Sequence, residues 1–279
     1  MELTVLVDNA TLIDRYLLGE PGLSILVEDD GTRVLFDAGY SDAFLVNAGR
    51  LGVDLTRLDA VVLSHGHLDH TWGLEPLVRL FSEAGWAGRE VRRPQLVAHP
   101  DLFDHRDAPG APEIGSLLCP NRLARHFELN ASREPVWLSQ RLVFLGEIER
   151  RSGFEGCTAM GRRSTAEGVV DDTVPDDSAL AWRGDHGLVV VTGCSHSGIC
   201  NIVEQARRVT GVERVRDIVG GLHLLSPPRE VMERTASYLA ELGLEALHAC
   251  HCTDLPSKVE LAARTPLAEV GSGLRLVYA

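Results

Sequence analysis

Hydrophobic and polar positions alternate along this chain with two different periods. Short runs rich in aliphatic and β-branched residues fall at 3–7, 23–27, 33–37, 60–64, 95–98, 142–145, 179–183, 188–192 and 274–278, most of them bounded by Gly, Asp or Pro. Such runs predict strands. A helical spacing replaces them at Leu74, Leu77, Val78 and Phe81, at Ile202, Val203, Ala206 and Val209, and at Val231, Thr235, Tyr238, Leu239 and Leu242. Strands dominate the first third and mix with helices later. This succession suits layered sheets with helices packed outside, an α/β (α+β) arrangement whose strand order the pattern leaves open. Two stretches are irregular, at about 85–135 and about 153–175. Connections of that length are lids or binding loops, or else surface insertions in a single domain covering 1–279.

Composition narrows the picture. With 279 residues, 44% hydrophobic and 24% charged, the chain is long enough to bury a sizeable core and is unlike disordered, collagenous or coiled-coil sequences. Its net charge of −13 opposes general binding to nucleic acid or anionic membrane. An anionic ligand would need local cations, for which Arg92-Arg93 and Arg162-Arg163 are candidates, with solvated surface charge as the plainer reading. No apolar run approaches the roughly 20 residues of a membrane span. An acidic second residue and the lack of a basic leader make the cytosol the expected compartment. Six scattered cysteines are read as reduced thiols.

The chemistry concentrates in Leu63-Ser-His65-Gly-His67-Leu-Asp69-His70, directly after an apolar run. Where a strand ends in a tight turn, residues two apart point to one side, so His65 and His67 can converge on one cation while Asp69 and His70 project toward a neighbouring point. Imidazoles with one carboxylate suit zinc first, then iron, manganese or cobalt. Four such groups would be costly to bury as mere core residues. Two later segments can close the site: Thr192-Gly-Cys194-Ser-His196-Ser-Gly198 and Leu247-His248-Ala-Cys250-His251-Cys252-Thr-Asp254. Cys194 and Cys250 are thiolate ligands or inert packing residues.

These segments, together with Val34-Leu-Phe-Asp-Ala-Gly39, resemble the metallo-β-lactamase superfamily. Leu6-Val-Asp-Asn9, Asp177-Ser-Ala-Leu180, Val219-Gly-Gly-Leu-His223 and Cys250-His-Cys-Thr253 resemble more narrowly its dihydropteroate-synthase-like branch, which includes 7,8-dihydropterin-6-methyl-4-(β-D-ribofuranosyl)aminobenzene-5′-phosphate synthases. The resemblance implies a four-layer αββα sandwich with one or two divalent ions at one edge of two facing sheets. It implies His65, His67 and His196 around a first ion, and Asp69, His70 and His251 around a second. Many members of the superfamily place a bridging aspartate where this chain has Cys194 and Ser195. Asp176 and Asp177 lie near where another ligand often falls, and His223 resembles a histidine that could protonate a leaving group, or cap a helix.

Such a site implies hydrolysis by metal-bound hydroxide, with Asp69 orienting the nucleophile, on a small, phosphorylated metabolite. The branch offers an alternative, a pterin-related transferase that condenses a pterin methyl diphosphate with an aminobenzene ribotide. Trp72, Trp137, Phe154 and Trp182 could line a slot for the pterin, or simply pack. A non-catalytic metal- or pterin-binding protein is the third reading. Neither nucleic acid nor membrane is an expected partner.

Overall fold

The computed structural model describes all 279 residues. One sheet has seven strands, in the spatial order Arg275–Val277, Glu2–Val7, Ser24–Asp29, Thr32–Phe36, Ala60–Val62, Gln95–Ala98, Glu128–Ala131. A second has six, in the order Ala246–Cys250, Val215–Gly221, Gly187–Thr192, Ala179–Gly184, Leu142–Phe144, Val136–Trp137. Each sheet contains a parallel block. The four strands from Thr32 to Ala131 form one, and the strands beginning at Gly187, Val215 and Ala246 form the other.

Strand periodicity explains the layering. Successive side chains point to opposite faces, so a strand buried on both sides must be apolar throughout. Val34 and Phe36 face the second sheet, where they meet Phe144, Trp182, Val189 and Val191, while Leu35 faces outward into another core. That outer core is closed by Ala43–Leu51 and Leu74–Trp86 through Phe44, Ala48, Leu74, Leu77 and Phe81. Leu188 and Val190 likewise face outward, beneath Ile199–Thr210, Arg229–Glu241 and Leu255–Ala262. The result is helix, sheet, sheet, helix, the αββα sandwich.

All nine expected strands are present, with ends displaced by a residue or so, and the three expected helices are Leu74–Trp86, Ile199–Thr210 and Arg229–Glu241. Among the elements that escaped the pattern, three show why. Ala43–Leu51 buries Asn47, whose amide donates to the carbonyls of Leu6 and Leu18, so its inner face does not read as apolar. Val215–Gly221 is broken by Arg216, Asp217 and two glycines, yet Asp217 is buried and bonded to His248 and Tyr278. Leu255–Ala262 carries little apolar periodicity and is fixed by its cap, since the Asp254 carboxylate accepts the Ser257 amide.

The two irregular stretches are joined. Arg106–Asp107 from the first pairs with Arg162–Thr165 from the second, which pairs in turn with Gly168–Asp171 to form a small third sheet. The arginine pairs do not form a phosphate site. Arg92 is bonded to Asp59, Arg93 to the carbonyls of Ala124 and Phe127, Arg162 to Asp107, and Arg163 to Asp104. No helix is long and apolar enough to cross a membrane.

Candidate metal centre

Every strand that feeds the centre delivers its residues at a carboxyl end, on one edge of the two sheets. Asp8 follows Glu2–Val7, Asp37 follows Thr32–Phe36, and the histidine-rich turn follows Ala60–Val62. Across the gap, Cys194 and His196 follow Gly187–Thr192, His223 follows Val215–Gly221, and His251 closes Ala246–Cys250. The strands are rigid and buried, so the loops inherit fixed positions. Asp37, Ser195, His223 and His251 all take positive φ (58°, 65°, 50° and 51°), a backbone strain of the kind that gathers where side chains must be aimed.

The six implied ligands are brought together. The His65 ring lies 4.7 Å from the rings of both His67 and His196, and His67 lies 4.8 Å from His196. Next to them, His70 Nε2 is 3.1 Å from His251 Nε2, and an Asp69 oxygen is 3.4 Å from the same His251 nitrogen. One compact donor group joins Cys194, His223 and Cys252; around the implied ligands, donor atoms form two more, one of Asp69, His70, Cys194 and His251 and the other of His65, Cys194 and His196, with His67 outside both. Cys194 belongs to all three, and its sulfur is 3.2 Å from His70 Nε2. Cys250 belongs to none; it packs between the sheets.

Several nitrogens lack any partner within the protein. His67 Nε2, both ring nitrogens of His196 and His223 Nδ1 are buried and make no hydrogen bond. Native proteins rarely leave such groups orphaned, and a divalent ion bound through one nitrogen each of His67 and His196 would satisfy two of them, so the donor set fits a metal. Burial holds His65 and His196 well below the usual imidazole range, reinforced by their neighbouring histidines. His67 is pulled to about 4, first by burial and then by Arg106. All three therefore present the neutral, ligating form.

A supporting shell orients these groups. Asp37 takes His70 Nδ1 at 2.6 Å and also accepts the Ser64 amide and hydroxyl, both at 2.7 Å. That bond fixes Nδ1 as a donor and leaves Nε2 toward the centre. Burial depresses His70, but Asp37 and Asp69 outweigh it and raise its pKa to about 9. Asp69 is raised by burial and lowered more strongly by His70 and His251, with the net shift downward. His251 is held by Asp8, which accepts its amide at 2.9 Å, and by Asn9, whose Oδ1 lies 3.0 Å from Nδ1.

Asp176 and Asp177, left open by the sequence as ligands, lie outside all three donor groups. Asp176 accepts the Gly66 amide at 2.8 Å and pairs with Arg106, while Asp177 accepts the Ser197 amide and hydroxyl. They hold the turns that carry the histidines. The four candidate aromatics do not form one slot. Trp182 is buried between the sheets and donates to Asp29, Trp137 lies beside Arg183, and Trp72 stacks on Tyr40. Phe154 alone lines the cavity of about 220 Å³ that opens beside His196 and His223.

Sequence reasoning gave no role to Asp37, Asp8, Asn9, Arg106 or Cys252. Cys252 accepts the His223 amide at 3.2 Å and lies near Cys194. A short acidic step directly after an apolar strand was the available signal for Asp8 and Asp37. Arg106 had none.

Residues 17–209 match the profile of the metallo-β-lactamase superfamily. The chain is 31% identical over 245 residues to a 7,8-dihydropterin-6-methyl-4-(β-D-ribofuranosyl)-aminobenzene-5′-phosphate synthase of Methanocaldococcus jannaschii, covering 83% of this chain and 80% of that one. It is 28% identical over 263 residues to the uncharacterized protein MJ0448 of the same organism, with 92% and 93% covered. Among solved structures, Tm1679, described as a metal-dependent hydrolase of the β-lactamase superfamily, matches at a TM-score of 0.83 and 28% identity over the whole of both chains. Fold, motif spacing and these likenesses agree: the chain belongs to the metallo-β-lactamase superfamily.

Proposed function

We propose that the protein is a metal-dependent hydrolase acting on a small, phosphorylated metabolite, with His65, His67 and His196 holding one divalent ion and Asp69, His70 and His251 a second. Zinc is the first choice for both, then iron or manganese. The observation that carries this reading is the pair of adjoining donor groups, with buried imidazole nitrogens that no protein atom satisfies. A divalent ion bound there lowers the pKa of water to about 7 and acts as a Lewis acid toward a phosphoryl oxygen. The chain's own residues then have distinct tasks. Asp69 accepts a proton or hydrogen bond from the attacking water and fixes its direction. His223, with its unpartnered Nδ1 at the cavity wall, is placed to hand a proton to the departing oxygen. Asp37, Asp8 and Asn9 keep the ligand rings in register.

The test combines elemental analysis with kinetics. One or two ions per chain and turnover of an aryl phosphodiester are expected, with His65→Ala and Asp69→Ala abolishing turnover while circular dichroism stays unchanged. Undiminished turnover after exhaustive chelation would count decisively against the proposal.

The likeness to the M. jannaschii synthase favours a second reading, in which the same ions stabilise a departing diphosphate during condensation of a pterin methyl diphosphate with an aminobenzene ribotide. Incubation of the two substrates, followed by mass spectrometry for the condensed product, separates the two reactions.

A further inference from the structure

The cavity beside His196 and His223 has a chemical character of its own. Its apolar wall comes from Phe154, Met160, Leu222, Leu224 and Val231, interleaved with the uncharged Thr158, Ser195 and Ser226, with no lysine or arginine among the lining residues. Its single carboxylate, Glu155, is pushed upward by burial, and its Oε1 already accepts the Asn201 amide. Away from His196 and His223, nothing in the wall offers a charge to an anion. A phosphate can be met only at the histidine end, so what enters the cavity is the remainder of the molecule.

One polar atom stands out in this wall. Thr235 is 1% exposed, and its hydroxyl has no hydrogen-bond partner. Other buried helical threonines of the molecule satisfy themselves by donating to the carbonyl four residues earlier, Thr210 to Ala206 at 2.7 Å and Thr71 to His67 at 3.0 Å. Thr235 does not, although Val231 precedes it on the same helix. A buried hydroxyl without a partner is costly unless a ligand supplies one.

We propose that this cavity takes the uncharged, largely apolar body of the substrate, anchored by one hydrogen bond to the Thr235 hydroxyl. This rests on the reading of the neighbouring histidines as a metal centre, and it narrows the substrate to phosphoesters of a compact aryl or heteroaryl group, as against sugar phosphates. The volume of about 220 Å³ admits one or two fused rings rather than a nucleotide.

The probe is 1-naphthol, neutral and bicyclic with one hydroxyl, titrated calorimetrically into the metal-loaded protein, with ribose 5-phosphate as the charged comparison. Binding of naphthol is expected to weaken about three- to tenfold in Thr235→Val. It should be lost in Val231→Arg, which fills the cavity and charges it. Metal content and circular dichroism should stay unchanged in both variants. In turnover, an aryl phosphodiester should exceed a glycerol phosphodiester in kcat/KM, and Thr235→Val should raise KM more than it lowers kcat. Naphthol binding unaffected by Val231→Arg, or a sugar phosphodiester preferred over the aryl one, would overturn the proposal. Naphthol bound as described by a protein that cleaves no phosphoester would instead overturn the hydrolase reading and leave the cavity assignment standing.

Discussion

The guanidinium of Arg106 lies against the backbone of Gly66 so closely that a Cβ on Gly66 would stand 2.2 Å from Nη1. Gly66 is the residue between two of the clustered histidines, and its amide donates to Asp176, the acid that Arg106 pairs with. The fully buried arginine also holds Asp172 at 2.9 Å and the Leu102 carbonyl at 2.7 Å. One side chain from the first irregular stretch thus ties the second stretch to the histidine turn.

Removing it should be expensive. Arg106→Met leaves the buried Asp176 without a counter-charge and Asp172 with only Arg163 Nε, 3.9 Å away, and a loss of about 3–5 kcal/mol is expected. Lysine should not restore it, because the acceptors on Asp172, Asp176 and the carbonyls of Asp101, Leu102 and Asp104 need the planar fork. Urea unfolding of both variants measures this, and a loss below about 1 kcal/mol in Arg106→Met would show that the network is not a structural tie.

Gly66→Ala tests the same contact from the other side. The added methyl meets Leu102 O as well as the guanidinium, both at 2.2 Å, so the turn must move. Metal content per chain should fall together with the melting temperature. An alanine variant that retains full metal and stability would mean that the turn has slack.

Asp37→Asn keeps the shape of the side chain but weakens its hold on His70 Nδ1. Metal affinity is expected to drop about 10- to 100-fold, with little change in secondary structure. Competition against a chelator of known affinity gives the number.

Acid sensitivity should have one identifiable source outside the donor groups of the metal centre. Arg133 bonds Asp101 at 2.7 Å and Glu147 at 2.6 Å. Burial tends to raise both acids, but Arg133 and His99 outweigh it and hold them below their ordinary values of 3.8 and 4.5. A depressed carboxylate contributes stability above its unfolded pKa and loses it as pH falls through the folded value. Glu147 is exposed and Asp101 half-buried, and solvent screens both, so the contribution is at most about 1 kcal/mol. The stability advantage of wild type over Arg133→Met should therefore be present at pH 7 and shrink below pH 4, as read by paired urea melts. An advantage that grows on acidification would exclude the ion pairs as its cause.

Core packing gives a control independent of chemistry. Trp182 is 1% exposed between the sheets, and Trp182→Ala should cost about 3–5 kcal/mol in urea melts. A small effect would mean that the two sheets re-close over the vacated volume.

Much of this molecule is written in local pattern. The strands at 60–62 and 187–192 are continuous apolar runs because both faces are covered, and the short turns after them carry His65, His67 and His196. What stayed illegible depends on distance. Asp217 breaks the apolar pattern of its strand, yet its partners His248 and Tyr278 lie in later segments. Arg106 reads as one more surface arginine until the small third sheet brings Asp172 and Asp176 around it. The hydroxyl of Thr235 fits a helical apolar stripe, and only its missing partner in three dimensions separates it from Thr210.

The donor residues come from both halves of the sandwich, Asp69 and His70 on the short helix Leu68–Thr71 beside one sheet and Cys194 and His251 on loops of the other. An ion held there would act as a clasp across the gap, so its affinity would be added to the free energy that keeps the layers shut. Starvation for metal would then loosen the seam between the sheets as well as stop turnover, leaving the valines and aromatics there open to aggregation and proteolysis.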